Sequence, residues 1–490
     1  MRHFPRAGRT TALTLAAALV LSACGSGDDG DVAADDPVDE VDDTDADADV
    51  DAEEGVDEPD EVAEGVTEVP VWIAFTDARL DWTRDVADAF NETQDDFEIT
   101  VQGYDNYEAL FDSTLLAVDQ GNQPAVVQYF EAATTDARDA VSAAGDPLFA
   151  SVEAAIAGRD EVLGVPVVLD DIVESVQNYY TIEGEFSSMP WNTSSAIMFT
   201  NRDLMEAGGV TEIPTTWQEV EAACETLMAS GEADDCITWP NHGWFTEQAV
   251  AQQGGLLVNN DNGRSARADE VMLDSDEMLD WVNYWKAMDD AGYYTYTGTQ
   301  RDWDGTYNAF ASQSLPFLLY SSSDTTLLTE EGEGGGFEVE ASFMPYNADR
   351  PDGGNIIGGA TLWLTEGLEE DVQDVALAFM NYLNNPENAA DWHRVTGYIP
   401  VTNASVALLE DEGWFEENPN SAVANAQLDA APESAATAGA LMGNFGQIRD
   451  VYTEAIEDIL VNDLDVAERM AEADASAQQL LEEYNSLFVE

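Results

Sequence analysis

From Val69 onward the apolar positions of the chain follow two alternating rhythms. Val69 to Phe75 reads as a buried strand. Trp82 to Phe90, apolar at Trp82, Val86, Ala89 and Phe90, reads as an amphipathic helix. Phe97 to Gln102 predicts a second strand, Tyr107 to Asp119 a helix and Pro124 to Tyr129 a third strand. Strand–helix–strand spacing of this kind implies parallel pairing and an α/β lobe that binds ligands at the carboxyl ends of its strands. After a strand at Ser195 to Phe199 come helices around Leu204, at Trp217 to Leu227 and at Leu279 to Met288. Thr216 is the expected N-cap of the Trp217 helix, with Glu219 closing a capping box. Strands at Leu315 to Tyr320 and Ala360 to Leu364, then helices at Val372 to Leu383 and Ile448 to Leu460, predict two lobes with more than one crossing and a cleft between them.

The segment before Val69 reads differently. Arg2, Arg6 and Arg9 precede an apolar run from Leu13 to Ala23, the charged start and short apolar core of a secretory signal, too short to span a bilayer. Leu21-Ser22-Ala23-Cys24 resembles a bacterial lipobox, which makes Cys24 the lipidated first residue of the mature chain and gives an extracytoplasmic protein held on the cell membrane by lipid. The signal is expected over 1–23, and the lipidated Cys24 with an acidic tether over 24–68. Residues 25–68 hold 21 Asp or Glu and no aromatic residue, so they cannot bury enough apolar surface to fold.

The acidity continues beyond the tether. Of 490 residues, 100 are acidic and 16 basic, a formal net charge of −84, and residues 69–490 alone carry 79 acidic against 13 basic side chains. This excludes a nucleic-acid partner bound through its phosphates. Lys286 is the only lysine. A surface with few Lys and many Asp and Glu suits concentrated salt, where screening shortens the reach of carboxylate repulsion; the alternative is an acidic secreted protein of ordinary habitat. Cys224 and Cys236, twelve apart in an exported chain, predict a local disulfide, two free thiols being the alternative, and no metal site accompanies them.

Much chemistry is missing from the sequence. The phosphate-loop signature is absent, as are H-E-x-x-H and G-x-S-x-G, and no cofactor is expected. A glycosidase needs only two suitably spaced carboxylates, which composition alone does not exclude.

Several stretches resemble the glycerol-3-phosphate-binding family of solute-binding proteins of ATP-driven importers. They include Asn106-Tyr107-Glu108, Gly121-Asn122-Gln123-Pro124-Ala125 with Gln128-Tyr129-Phe130-Glu131, and Pro190-Trp191-Asn192-Thr193-Ser194. Pro214-Thr215-Thr216-Trp217, Ile356-Ile357-Gly358-Gly359-Ala360, Pro386 to His393, Thr396-Gly397-Tyr398-Ile399-Pro400 and Gly443 to Arg449 extend the likeness from about residue 70 to 465. The resemblance implies a two-lobe, periplasmic-binding-protein-like fold that closes on a small molecule without transforming it. The expected lobes are 69–195 with about 360–395, and 196–359 with about 396–490. The implied protein is a monomer that serves ABC permease subunits in the membrane, its ligand a glycerol phosphate or a glycerophosphodiester. An oligosaccharide is the alternative ligand.

Carried over residue by residue, the family's ligand contacts fall on Tyr107, Glu131, Ser194, Ser321, Gly359, Tyr398 and Arg449. Arg449 would offer a planar fork to two phosphate oxygens, or else pair along its helix with Asp450 or Glu454. Ser194, Ser321 and Tyr398 would donate hydroxyls, Gly359 a backbone N–H, and Glu131 and Tyr107 would meet glycerol hydroxyls. Where the family has Trp-x-Gly-Trp this chain reads Asn241-His242-Gly243-Trp244. Trp244 therefore keeps one aromatic wall and Asn241 opens the other, unless Trp239 refills it. An oligosaccharide would instead stack on Trp191, Trp244 and Trp303. Hinges are expected near Ser194 to Ile197, Gly359 to Leu362 and Trp392 to Gly397.

Overall fold

The computed structural model describes residues 65–488, apart from 143 and 183. The signal, Cys24 and all but the end of the acidic tether lie outside the described residues. The chain opens with β1 (Thr67–Ile73), α1 (Ala78–Asn91), β2 (Phe97–Gly103), α2 (Tyr107–Gln120) and β3 (Val126–Phe130). The local chemistry explains these boundaries. Asp77 caps α1 by accepting from the Arg79 N–H, and the helix buries Leu80, Val86, Ala87 and Phe90. Asn106 caps α2 in the same way, and Gly121 ends it in the left-handed conformation at φ 71°.

β1 lies between β2 and β3 and is parallel to both. The strand Gly358–Thr365 then adds to β3 antiparallel, because it re-enters the sheet from the opposite direction after a long excursion. Its other edge receives Met189–Ser194 and Phe149–Ala150, also antiparallel. The expected parallel pairing thus covers the first three strands, while the return strand reverses it.

A second sheet is ordered Ile237–Thr238, Phe317–Ser321, Ala196–Asn201, Val339–Phe343. Ala196–Asn201 runs antiparallel to both of its neighbours. Ser195 alone separates Met189–Ser194 of the first sheet from Ala196–Asn201 of the second. Its N–H donates to Ser322 Oγ at 3.1 Å, its hydroxyl to the Ile356 carbonyl at 3.2 Å, and its carbonyl accepts from Ser322 N–H at 3.0 Å. This fully buried serine sits at the crossing between the two sheets.

The helix Trp217–Ser230 shows how a cap differs from expectation. Thr216 Oγ1 accepts from Glu219 N–H as foreseen, but the Glu219 carboxylate reaches Thr215, taking its N–H at 2.9 Å and its hydroxyl at 2.8 Å. Thr215 and Trp217 are held by backbone bonds to Tyr346, which set the backbone direction there. Behind this helix lies an aromatic core of Trp217, Trp239, Trp281 and Trp285, all buried.

Cys224 and Cys236 are disulfide-bonded, joining that helix to the strand Ile237–Thr238. Their closed loop is short, so replacing both by serine is expected to cost about 2–4 kcal/mol. Denaturant unfolding of C224S/C236S against wild type measures it.

Candidate functional site

Parallel packing brings the carboxyl ends of β1, β2 and β3 to one edge of the first sheet. Tyr107 opens α2 after β2, and Glu131 begins the one-turn helix Glu131–Ala133 directly after β3. The helix Phe445–Asn462 brings Arg449 to Glu131. Arg449 Nη2 donates to Glu131 Oε1 at 2.7 Å and to Glu247 Oε2 at 2.9 Å, while Nε donates to Glu247 Oε1 at 2.6 Å. The Tyr452 hydroxyl also donates to Glu247. All three ionic side chains are buried, Arg449 at 4% exposure. Burial pushes the Glu131 carboxyl up, and Arg449 draws it partly back. Burial also works against the charge of Arg449, but Glu247 and Glu131 together hold its guanidinium well above its ordinary value.

This arrangement differs from both sequence expectations for Arg449. Asp450 turns away to Arg301, so no pair forms along the helix there. The guanidinium meets two carboxylates, one of them Glu247, 202 residues away in sequence. Nothing local in the sequence marks Glu247 as its partner among 100 acidic residues.

A second group gathers around Asn192. Gln128 Oε1 accepts from the Ala74 N–H at 2.6 Å, so Gln128 Nε2 is the donor to Asn192 Oδ1 at 2.9 Å. Asn192 Nδ2 is thereby the free end, buried and without a hydrogen-bond partner. It lies beside the hydroxyls of both Tyr107 and Tyr398. Sequence reasoning named the two tyrosines but not Asn192, although the Pro190 to Ser194 motif contains it. Tyr398 is stacked on Trp392 at 5.5 Å with 6° between the planes, and Trp392 on Trp191 at 5.1 Å.

Gly359 has φ 107°, and a Cβ there would collide with the Asn192 carbonyl oxygen of the paired strand. The glycine is required by strand-to-strand approach. Ser194 faces Gly358 in that pairing. Ser321 Oγ bonds Ser323 Oγ at 2.9 Å, and Ser323 Oγ donates to Asp324, whose carboxyl burial pushes up.

The expected open edge at Asn241 is closed. Asn241 is 1% exposed and donates to the Thr453 carbonyl at 3.2 Å, while Trp239 is packed against Trp285 and Tyr294 in the core and refills nothing. Trp244 is buried against Gly358, its Nε1 donating to the Ile357 carbonyl at 3.3 Å. Of the three tryptophans expected as stacking platforms, Trp191 and Trp244 are buried and Trp303 is half-buried. Among the described residues no cluster of three or more His, Cys, Asp or Glu is placed to hold a metal, and no helix is long and apolar enough to cross a membrane.

Residues 85–423 match the family model described as bacterial extracellular solute-binding protein. The chain belongs to that family. It is 29% identical over 405 residues to the sn-glycerol-3-phosphate-binding periplasmic protein UgpB of Yersinia pseudotuberculosis, covering 81% of this chain and 88% of that one. The Escherichia coli O1:K1 protein of the same name is 28% identical over the same length and shares. Two solved structures share the fold. UgpB from Mycobacterium tuberculosis in complex with glycerophosphocholine has a TM-score of 0.69 at 18% identity, covering 86% of this chain and 99% of that one. The cyclic alpha-maltosyl-1,6-maltose binding protein from Arthrobacter globiformis has a TM-score of 0.67 at 19% identity, with coverage of 85% and 99%. This solute-binding protein therefore has the two-lobe fold of its family and works outside the cytoplasm.

Two outcomes test the site's construction. Glu247→Ala removes its charge-assisted bonds from Arg449 and Tyr452 while Glu131 remains as counter-charge, and is expected to cost about 1.5–3 kcal/mol in denaturant unfolding. His393 is buried, and its ring Nδ1 donates to the Tyr398 carbonyl at 2.7 Å, while Nε2 has no partner. Burial lowers its pKa from 6.5 to about 4. Between those values the unfolded chain binds the extra proton, so its contribution to stability is full above pH 6.5. It falls by about 1.4 kcal/mol per unit as the pH drops towards 4. His393→Gln, compared with wild type by thermal unfolding across pH 4 to 7, is expected to lack that part of the slope.

Proposed function

We propose that this protein captures a glycerol phosphate or a glycerophosphodiester in the cleft and delivers it to the permease of an ABC importer. A lipid on Cys24 holds the protein at the membrane, and the acidic tether gives it reach. The kinship with sn-glycerol-3-phosphate-binding proteins supports the ligand class. The observation that carries it is the division of the cleft into two chemistries. One end, at Glu131 and Glu247, presents carboxylate acceptors fixed by Arg449, which suits the hydroxyls of a glycerol. The other, at Asn192, Tyr398 and Ser194, presents amide and hydroxyl donors, which suits phosphate oxygens, while the Ser321 hydroxyl is committed to Ser323.

On this reading Arg449 orients two acceptors, because a phosphate placed on it would lie against two buried carboxylates. Its presence therefore does not separate a phosphate ligand from a sugar. The oligosaccharide reading draws on the maltose-type neighbours of the fold, but two of its three stacking tryptophans are buried. Ligand contacts to both lobes favour the closed form, with the joint at Ser195 and its neighbours.

Titration calorimetry of the full chain in molar salt, against sn-glycerol-3-phosphate, glycerophosphocholine and maltose, tests the assignment. Heat is expected with at least one phosphate compound and none with maltose. Glu131→Gln, which removes a charged acceptor, is expected to weaken binding by about ten- to a hundredfold. Heat with maltose alone would replace the ligand class and leave the family unchanged.

A further inference from the structure

Tyr107 follows β2 and Glu131 follows β3, and the third parallel strand, β1, also delivers a side chain to that edge. β1 runs through Ile73 into Phe75 and the first turn of α1, where Arg79 stands. The Arg79 guanidinium carbon lies 4.4 Å from the centre of the Phe75 ring, and that ring lies 6.3 Å from the ring of Tyr398. Arg79 is thus mounted on the same aromatic cluster as Tyr398, close to the unpartnered Nδ2 of Asn192.

Its bonding differs from that of Arg449. Arg79 Nε and Nη2 donate to Asp77, and the guanidinium also reaches the Tyr398 hydroxyl. Its side chain is 31% exposed, against 4% for Arg449. Asp77 is 52% exposed, so that pair is screened by solvent and yields readily to another anion. The other carboxylate acting on Arg79 is Asp324 from the opposite lobe, whose charge burial disfavours.

We infer that Arg79 is the cation that receives the anionic phosphate group of the ligand, beside the hydroxyl of Tyr398 and the amide of Asn192. The inference rests on the phosphate reading above and names the group that selects the anion. A phosphomonoester dianion and a phosphodiester monoanion present the same oxygens to it, and the dianion gains more from a fixed positive charge.

The test is calorimetry of full-length Arg79→Gln and Arg79→Lys in molar salt, with thermal unfolding of each variant alongside. For Arg79→Gln, a loss of about tenfold or more is expected for sn-glycerol-3-phosphate, and a smaller loss for glycerophosphocholine. Arg79→Lys, which keeps the charge and loses the fork, is expected to recover part of the affinity. A merely structural role would weaken both ligands equally, so equal losses, or unchanged affinity in a folded variant, overturn the inference while leaving the phosphate reading intact. A wild type that binds neither phosphate compound overturns both.

Discussion

A guanidinium enclosed by two carboxylates is the condition on which the cleft is built. Arg449 comes from a late helix, Glu131 from the end of an early strand and Glu247 from a helix between them, so their contact ties three distant parts of the chain. None of the three is accommodated at this depth alone, and removing Arg449 leaves two buried carboxylates without a counter-charge. The cluster carries one positive and two negative charges, which makes it an acceptor surface. On the proposed function, phosphate chemistry falls instead to the donors around Asn192 and Tyr398.

The same economy of cations runs through the molecule. With 16 basic side chains among 100 acidic ones, a single cation commonly serves several carboxylates. Arg350 meets Asp276, Glu277 and Asp280, Lys286 bridges Asp290 and Asp463, and Arg301 joins Glu108 to Asp450. Arg264 is spent on backbone carbonyls at Asn178, Tyr179, Ala438 and Gly439. Most other surface carboxylates are left to water, where dissolved salt screens their mutual repulsion.

The strands and helices of the first lobe were legible because their apolar periods are regular, as in Val69 to Phe75 and Trp82 to Phe90. The return strand was legible as a strand but not in direction, since direction depends on where the chain has been. Thr216 was legible as a cap because capping is local, whereas the choice of Thr215 by Glu219 followed from a remote backbone pairing with Tyr346. The Asn241 edge was misjudged for a similar reason: an asparagine in place of tryptophan suggests space, but its amide is used by a carbonyl 212 residues on. Glu247 and Arg79 carry no motif. Arg79 is signalled only by topology, as the residue that follows the first of three parallel strands.

The aromatic column beneath the donor end has a further consequence. Trp191, Trp392 and Tyr398 lie face over face, with Trp191 and Trp392 sealed from water and the Tyr398 hydroxyl beside Asn192 and Arg79. Whatever settles against the Tyr398 hydroxyl alters the surroundings of two indoles that no quencher in the solvent can reach. On the proposed function, the protein thus carries an optical reporter of its own occupancy, wired by stacking to the donor end of the site.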